Sequence, residues 1–187
     1  METGFQKIEA NLKTDRHTVK SWLIFALVLF VIALLSNLFI YGGGSSNSIG
    51  MPNGNSWLVA LSAGVRILII YLGLSLIPVP WITKALCFIS TALVLSGFAG
   101  TIMGFSFPNL GGFLIWVGFR INYAWLIFML ATIAVQTINN RKYQSTGNYL
   151  GDWFSALKGG LTDHWVPTVI SMGIYVVLMA ITSVAIN

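Results

Sequence analysis

Acidic residues are scarce in this sequence, and none lies in its long apolar stretches. Five Asp and Glu occur in 187 residues (Glu2, Glu9, Asp15, Asp152 and Asp163), against ten Lys and Arg. A proton relay across a membrane runs through chains of Asp, Glu or His, so this distribution argues against one. It also leaves few groups for general acid–base catalysis. Charge of either sign is rare: 8% of residues are charged, where a soluble globular chain carries about 25%. The single cysteine, Cys87, excludes an intrachain disulfide. The two histidines, His17 and His164, fall outside the apolar stretches, which removes the axial ligands a membrane haem would need.

Other chemistries are missing as well. No His, Cys, Asp or Glu cluster has metal-ligand spacing. Gly42-Gly43-Gly44 lacks the Lys and Ser/Thr of a phosphate-binding loop. Asp163 and His164 are adjacent, so on a helix their side chains point apart, and no nucleophile-elbow sequence accompanies them. The expectation is a protein without catalytic activity, metal or cofactor. Asp163 reads as a cap near the start of the last apolar stretch, with Pro167 in that helix's first turn.

What is abundant is hydrophobicity: 56% of residues are apolar and the mean hydropathy is +0.82. A helix needs about 20 apolar residues to cross a hydrocarbon core about 30 Å thick. Five stretches qualify, at about 21–41, 57–77, 81–104, 113–138 and 166–186. The fold class expected is therefore an all-α integral membrane protein with five transmembrane helices over 21–187, preceded by a leader at 1–20. The first stretch exceeds a signal-peptide core and reads as a retained signal anchor.

Basic residues orient the chain. Lys7, Lys13, Arg16 and Lys20 precede the first stretch, Lys84 follows the Pro78-Val79-Pro80 turn, and Arg141, Lys142 and Lys158 lie between the fourth and fifth. With five spans, all eight fall on one face, which the positive-inside rule assigns to the interior, N-terminus inside and C-terminus outside. The excess of +5 is thus an orientation signal rather than a nucleic-acid footprint. In a bacterium the membrane would be the cytoplasmic one, since outer-membrane spans are β-barrels.

Two inside-face segments read as amphipathic. Phe5, Ile8 and Leu12 share a helical face in the leader. Leu150, Trp153, Phe154, Leu157 and Leu161 recur at helical spacing, which predicts an interfacial helix over 148–160. Trp153, Phe154 and Leu157 would anchor it among lipid headgroups, and Gly159-Gly160 would end it. The loop between the first two stretches, Gly42 to Ser56, reads as a flexible linker. In the third stretch, Ser96, Gly100 and Gly104 form a small-residue ridge for helix contact, with Gly97 beside it.

The sharpest feature is a pair of arginines inside the apolar stretches. Arg66 sits roughly 13–14 Å below the outside end of its span and Arg120 roughly 10 Å below, at 1.5 Å per residue. A charge at membrane depth costs about 2.5–3.5 kcal/mol on insertion scales. Ser62, Ala63, Ile70 and Gly73 surround Arg66; Trp116 and Tyr123 flank Arg120. Four neutralisers compete: snorkelling to headgroups, polar partners within the bundle (Asn37, Ser90, Thr91, Ser96, Asn122), an acid on another subunit, or a passing anion. The expectation is a non-catalytic subunit of a larger membrane assembly, such as a secretion or conjugation apparatus or an energy-converting complex. It would pack against other subunits or itself and against lipid headgroups. The alternative is a small oligomeric anion channel or carrier with the arginines along its pathway.

Overall fold

A computed structural model describes residues 20–25, 27–36, 49–103, 105, 109–143 and 146–183. The described chain is all-helical, without strands. A short apolar helix, α1 (Lys20–Ser36), is followed by four long ones: α2 (Gly54–Leu76), α3 (Pro80–Met103), α4 (Leu110–Tyr143) and α5 (Tyr149–Ser183). These four are long and apolar enough to cross a membrane. The leader amphipathic segment, Asn37, most of the Gly/Ser/Asn loop and Gly104 lie outside the described residues.

Polarity is arranged inside out. Leu58, Val65 and Ile69 on α2, Ile89 and Leu93 on α3, Leu114 and Ile121 on α4, and Val169 and Ile170 on α5 are each more than half exposed. Small hydroxyl residues are buried instead: Ser75, Thr83, Thr91, Thr101, Thr137, Ser171 and Thr182. Water would punish that arrangement. In lipid, tails solvate Leu and Ile as well as a protein core does, and small residues let helix backbones approach. Several hydroxyls are satisfied on their own helix, Thr101 donating to Gly97 O, Thr137 to Ile133 O and Thr182 to Leu178 O.

α4 is the hub, packed against α2, α3 and α5, while α2 and α3 scarcely touch. Its middle carries the core residues Leu126, Ile127, Phe128 and Leu130. Within this core α4 and α5 are clamped by a reciprocal pair: Asn122 Nδ2 donates to Ser171 O at 2.9 Å, and Ser171 Oγ donates to Asn122 Oδ1 at 3.1 Å. α1 lies on α3 and α4 through ring contacts Phe25–Phe88, Phe30–Phe98 and Trp22–Phe128. The contacts climb α1 and α3 together, so those two helices run in the same direction.

Both arginine-bearing helices start three residues earlier than the apolar pattern predicts. For α2 the cause is a capping box: Asn53 Oδ1 accepts from Ser56 N and Ser56 Oγ accepts from Asn53 N, each at 2.8 Å. The polar Gly-Asn-Ser end of the expected linker is therefore the first helical turn.

The fifth helix overturns a larger expectation. No separate interfacial helix ends at Gly159-Gly160; α5 is continuous from Tyr149 to Ser183. A Cβ on Gly160 would come within 3.2 Å of Thr137 Oγ1 and 3.4 Å of Ile133 O. Close approach to α4 thus offsets the cost of glycine in a helix, about 1 kcal/mol against Ala. Pro167 sits inside the helix rather than in its first turn, and the next residue, Thr168, back-bonds its Oγ1 to His164 O at 2.7 Å. Asp163 is not a cap either: it accepts Gln136 Nε2 of α4 at 2.8 Å. The actual cap is Asn148, whose Oδ1 accepts from Gly151 N. Trp153 and Leu157 are buried against Ile133, Leu72 and Leu76, and only Phe154, 62% exposed, faces outward.

At this basic end the last turn of α2 is held from three sides. Trp153 Nε1 donates to Ser75 Oγ at 2.9 Å. The buried Arg141 donates Nη1 to Leu76 O at 3.2 Å, and Tyr149 Oη donates to the same carbonyl. A cation on a helix's terminal carbonyl also complements the macrodipole. Arg141 counted in sequence as an orientation charge; here it is a helix cap, stacked on Tyr149 at 4.4 Å.

A dicationic aromatic cleft as candidate functional site

Arg66 and Arg120 line one cleft of about 430 Å³ between α2, α4 and α5. α2 contributes Ala63, Arg66 and Ile67, α4 contributes Trp116, Phe119, Arg120 and Tyr123, and α5 contributes Tyr175, Met179 and Thr182. The sequence placed the two arginines at similar depth but not in one cavity. From the helix starts, Arg66 lies about 18 Å along α2 and Arg120 about 15 Å along α4, at 1.5 Å per residue.

The aromatic wall is a connected cluster. Phe119 stacks on Tyr123 at 5.9 Å, meets Tyr175 at 5.6 Å and takes the edge of Trp116 at 5.9 Å; Tyr123 and Tyr175 are 5.1 Å apart. Arg120 Cζ lies 5.3 Å from the Trp116 ring centroid and 5.6 Å from that of Phe119. Trp116 is thus one of the flanking rings expected, but the other is Phe119 rather than Tyr123. Helical side chains lean toward the N-terminus, so Arg120 reaches residues before it, not after it.

Across from those rings the guanidinium lies flat on α3. A Cβ built on Gly97 would sit 2.6 Å from Arg120 Cζ, a distance only glycine allows. Of the expected ridge, Ser96 is exposed and Gly100 half-buried; Gly97 beside it is the glycine that admits the Arg120 guanidinium.

Neither arginine finds an anion among the described residues. No hydrogen bond or ion pair joins Arg66 or Arg120 to another described residue, and Arg120 Nε is buried without a hydrogen-bond partner. The two described acids are at the basic end, Asp152 accepting from Thr146 N and Oγ1 at 2.9 and 2.6 Å, and Asp163 from Gln136. Asn122, a candidate polar partner, is occupied by Ser171. Cation–π contact contributes about 0.5–2 kcal/mol, a partial offset for a desolvated guanidinium. Chemically, the cleft presents two guanidiniums beside an aromatic wall.

The fold and cleft together define a membrane-embedded protein, all-helical in its described residues, with two arginines on one cleft that are unpaired among those residues. No family model, curated protein or solved structure matches the chain.

Proposed function

We propose that this chain is a non-catalytic, multi-pass subunit of a larger membrane assembly, with five spans, its N-terminus inside and its C-terminus outside. In a bacterial host the membrane is the cytoplasmic one, and the assembly is of the secretion, conjugation or energy-converting kind. The observation that carries the reading is the cleft holding Arg66 and Arg120 with no counter-charge in the described chain. An isolated protein gains nothing from leaving two guanidiniums unpaired at membrane depth, whereas a subunit completes them on assembly. The parallel course of α1 and α3 supports an odd number of crossings. The positive-inside count supports the orientation.

A second reading, an anion channel or carrier, draws on the same cleft. Because both arginines line a cavity of one chain, a pathway would not need a ring of subunits. Mass and composition of the native particle, extracted gently from its own membrane, separate the two. Heterologous partners with intramembrane Asp or Glu support the subunit, and Arg66→Gln should then loosen the particle. A particle of this chain alone, with anion flux that falls in Arg66→Gln, would overturn it.

A further inference from the structure

We infer that Arg66 and Arg120 form a single carboxylate-binding site, and that its ligand is an Asp or Glu side chain in the middle of a partner's transmembrane helix. This rests on the subunit reading and names the chemistry of the contact. Three observations select it. The arginines lie roughly 13–14 Å and 10 Å below the outside ends of their apolar stretches at 1.5 Å per residue, inside a core about 30 Å thick, and Arg120 Nε is buried without a hydrogen-bond partner. The walls are the rings of Trp116, Phe119, Tyr123 and Tyr175 with Ile67 and Met179, a lining that gives a small hydrated anion little in return for its water. A carboxylate already carried into the membrane on a helix does not meet that cost again.

The approach is open on the α2 side. Arg66 is exposed, as are Ser62, Ile69, Ile70 and Gly73 along the same helix, and a Cβ on Gly73 would touch nothing within 4 Å. Ser62 and Gly73 bracket Arg66 one and two turns away, so another backbone can come close there. Arg120, held between Gly97 and the Trp116 ring, is the fixed half of the site, and Arg66 the half that closes on the incoming acid. One carboxylate between two guanidiniums satisfies both of its oxygens and leaves no buried acid unpaired.

The test uses the full-length protein in phosphatidylcholine vesicles and Trp-free polyleucine transmembrane peptides bearing a dansyl acceptor and one Glu, Gln or Lys at midspan. Energy transfer from the protein's tryptophans reports association. The Glu peptide should bind on the order of tenfold more tightly than Gln, and Lys more weakly than either. Arg66→Gln and Arg120→Gln should each abolish that preference, and the double variant should lose no more than one single change. Circular dichroism and thermal melting check that each variant is folded. Equal binding of Glu and Gln, or a preference that survives the double change, overturns the proposal. Competition by phosphatidylglycerol would assign the site to lipid phosphate, and competition by millimolar acetate to a free anion; either also overturns it. If the Glu peptide binds but the native particle has no partner, the site stands and the subunit reading falls.

Discussion

A single missing methyl group decides where Arg120 can be. Gly97 is the one point on α3 where a guanidinium lies directly on backbone, so Gly97→Ala should push Arg120 off the Trp116 ring or force α3 and α4 apart. Overpacking of this kind costs about 1–3 kcal/mol, measurable as lowered thermal stability in detergent. Combining it with Arg120→Gln, whose shorter side chain vacates the space, should cost less than the two changes added. Additive losses would mean that the glycine matters for some other reason. The residue-level chemistry was partly legible in sequence. That Arg66 and Arg120 lacked acids was plain from composition, and Trp116 was found from i−4 spacing. The Gly97 contact and the shared cleft were not legible, because they depend on which faces of α2, α3 and α4 meet, and in lipid almost every face is apolar.

Helix starts and stops show the same division. Apolar length located the four long helices, but capping polar residues and buried glycines moved their ends. Asn53 with Ser56 was a readable capping box hidden in a linker-like run, whereas the continuity of α5 through Gly160 depends on a neighbour, α4, that sequence does not show. That continuity changes what Trp153, Phe154 and Leu157 do. The stripe was real as a pattern, yet Trp153 faces Ser75 of α2, and of these three residues only Phe154 faces away. Trp153→Phe should therefore lower stability by about 0.5–1.5 kcal/mol through loss of one hydrogen bond. Phe154→Ala should stay within about 0.5 kcal/mol of the parent in detergent. The reverse order, by thermal melting or steric trapping, would restore Trp153 as a headgroup anchor.

For the whole molecule, direction of insertion is the property most exposed to test. With Cys87 buried and the only cysteine, a Cys87→Ser background supports single-site labelling. Asn55→Cys should react with a membrane-impermeant maleimide from outside intact cells or right-side-out vesicles, and Lys158→Cys only once the inside is opened. The opposite pattern would invert the orientation and move the arginine cleft to the inner half of the bilayer.

The lengths of α4 and α5 have a further consequence. At 34 and 35 residues they span about 51–53 Å, well beyond a hydrocarbon core of about 30 Å. Along the surplus of α5, Leu150, Phe154, Leu161 and Trp165 are exposed, and so are Lys158, Thr162 and Asp163. Most transmembrane helices have a polar collar at each end that fixes their height in the bilayer. On this hairpin the exposed Lys158, Thr162 and Asp163 stand in that same strip of α5 and supply the collar, with the apolar residues among them at headgroup level. A thinner membrane would accommodate the length beyond that collar by tilting the hairpin.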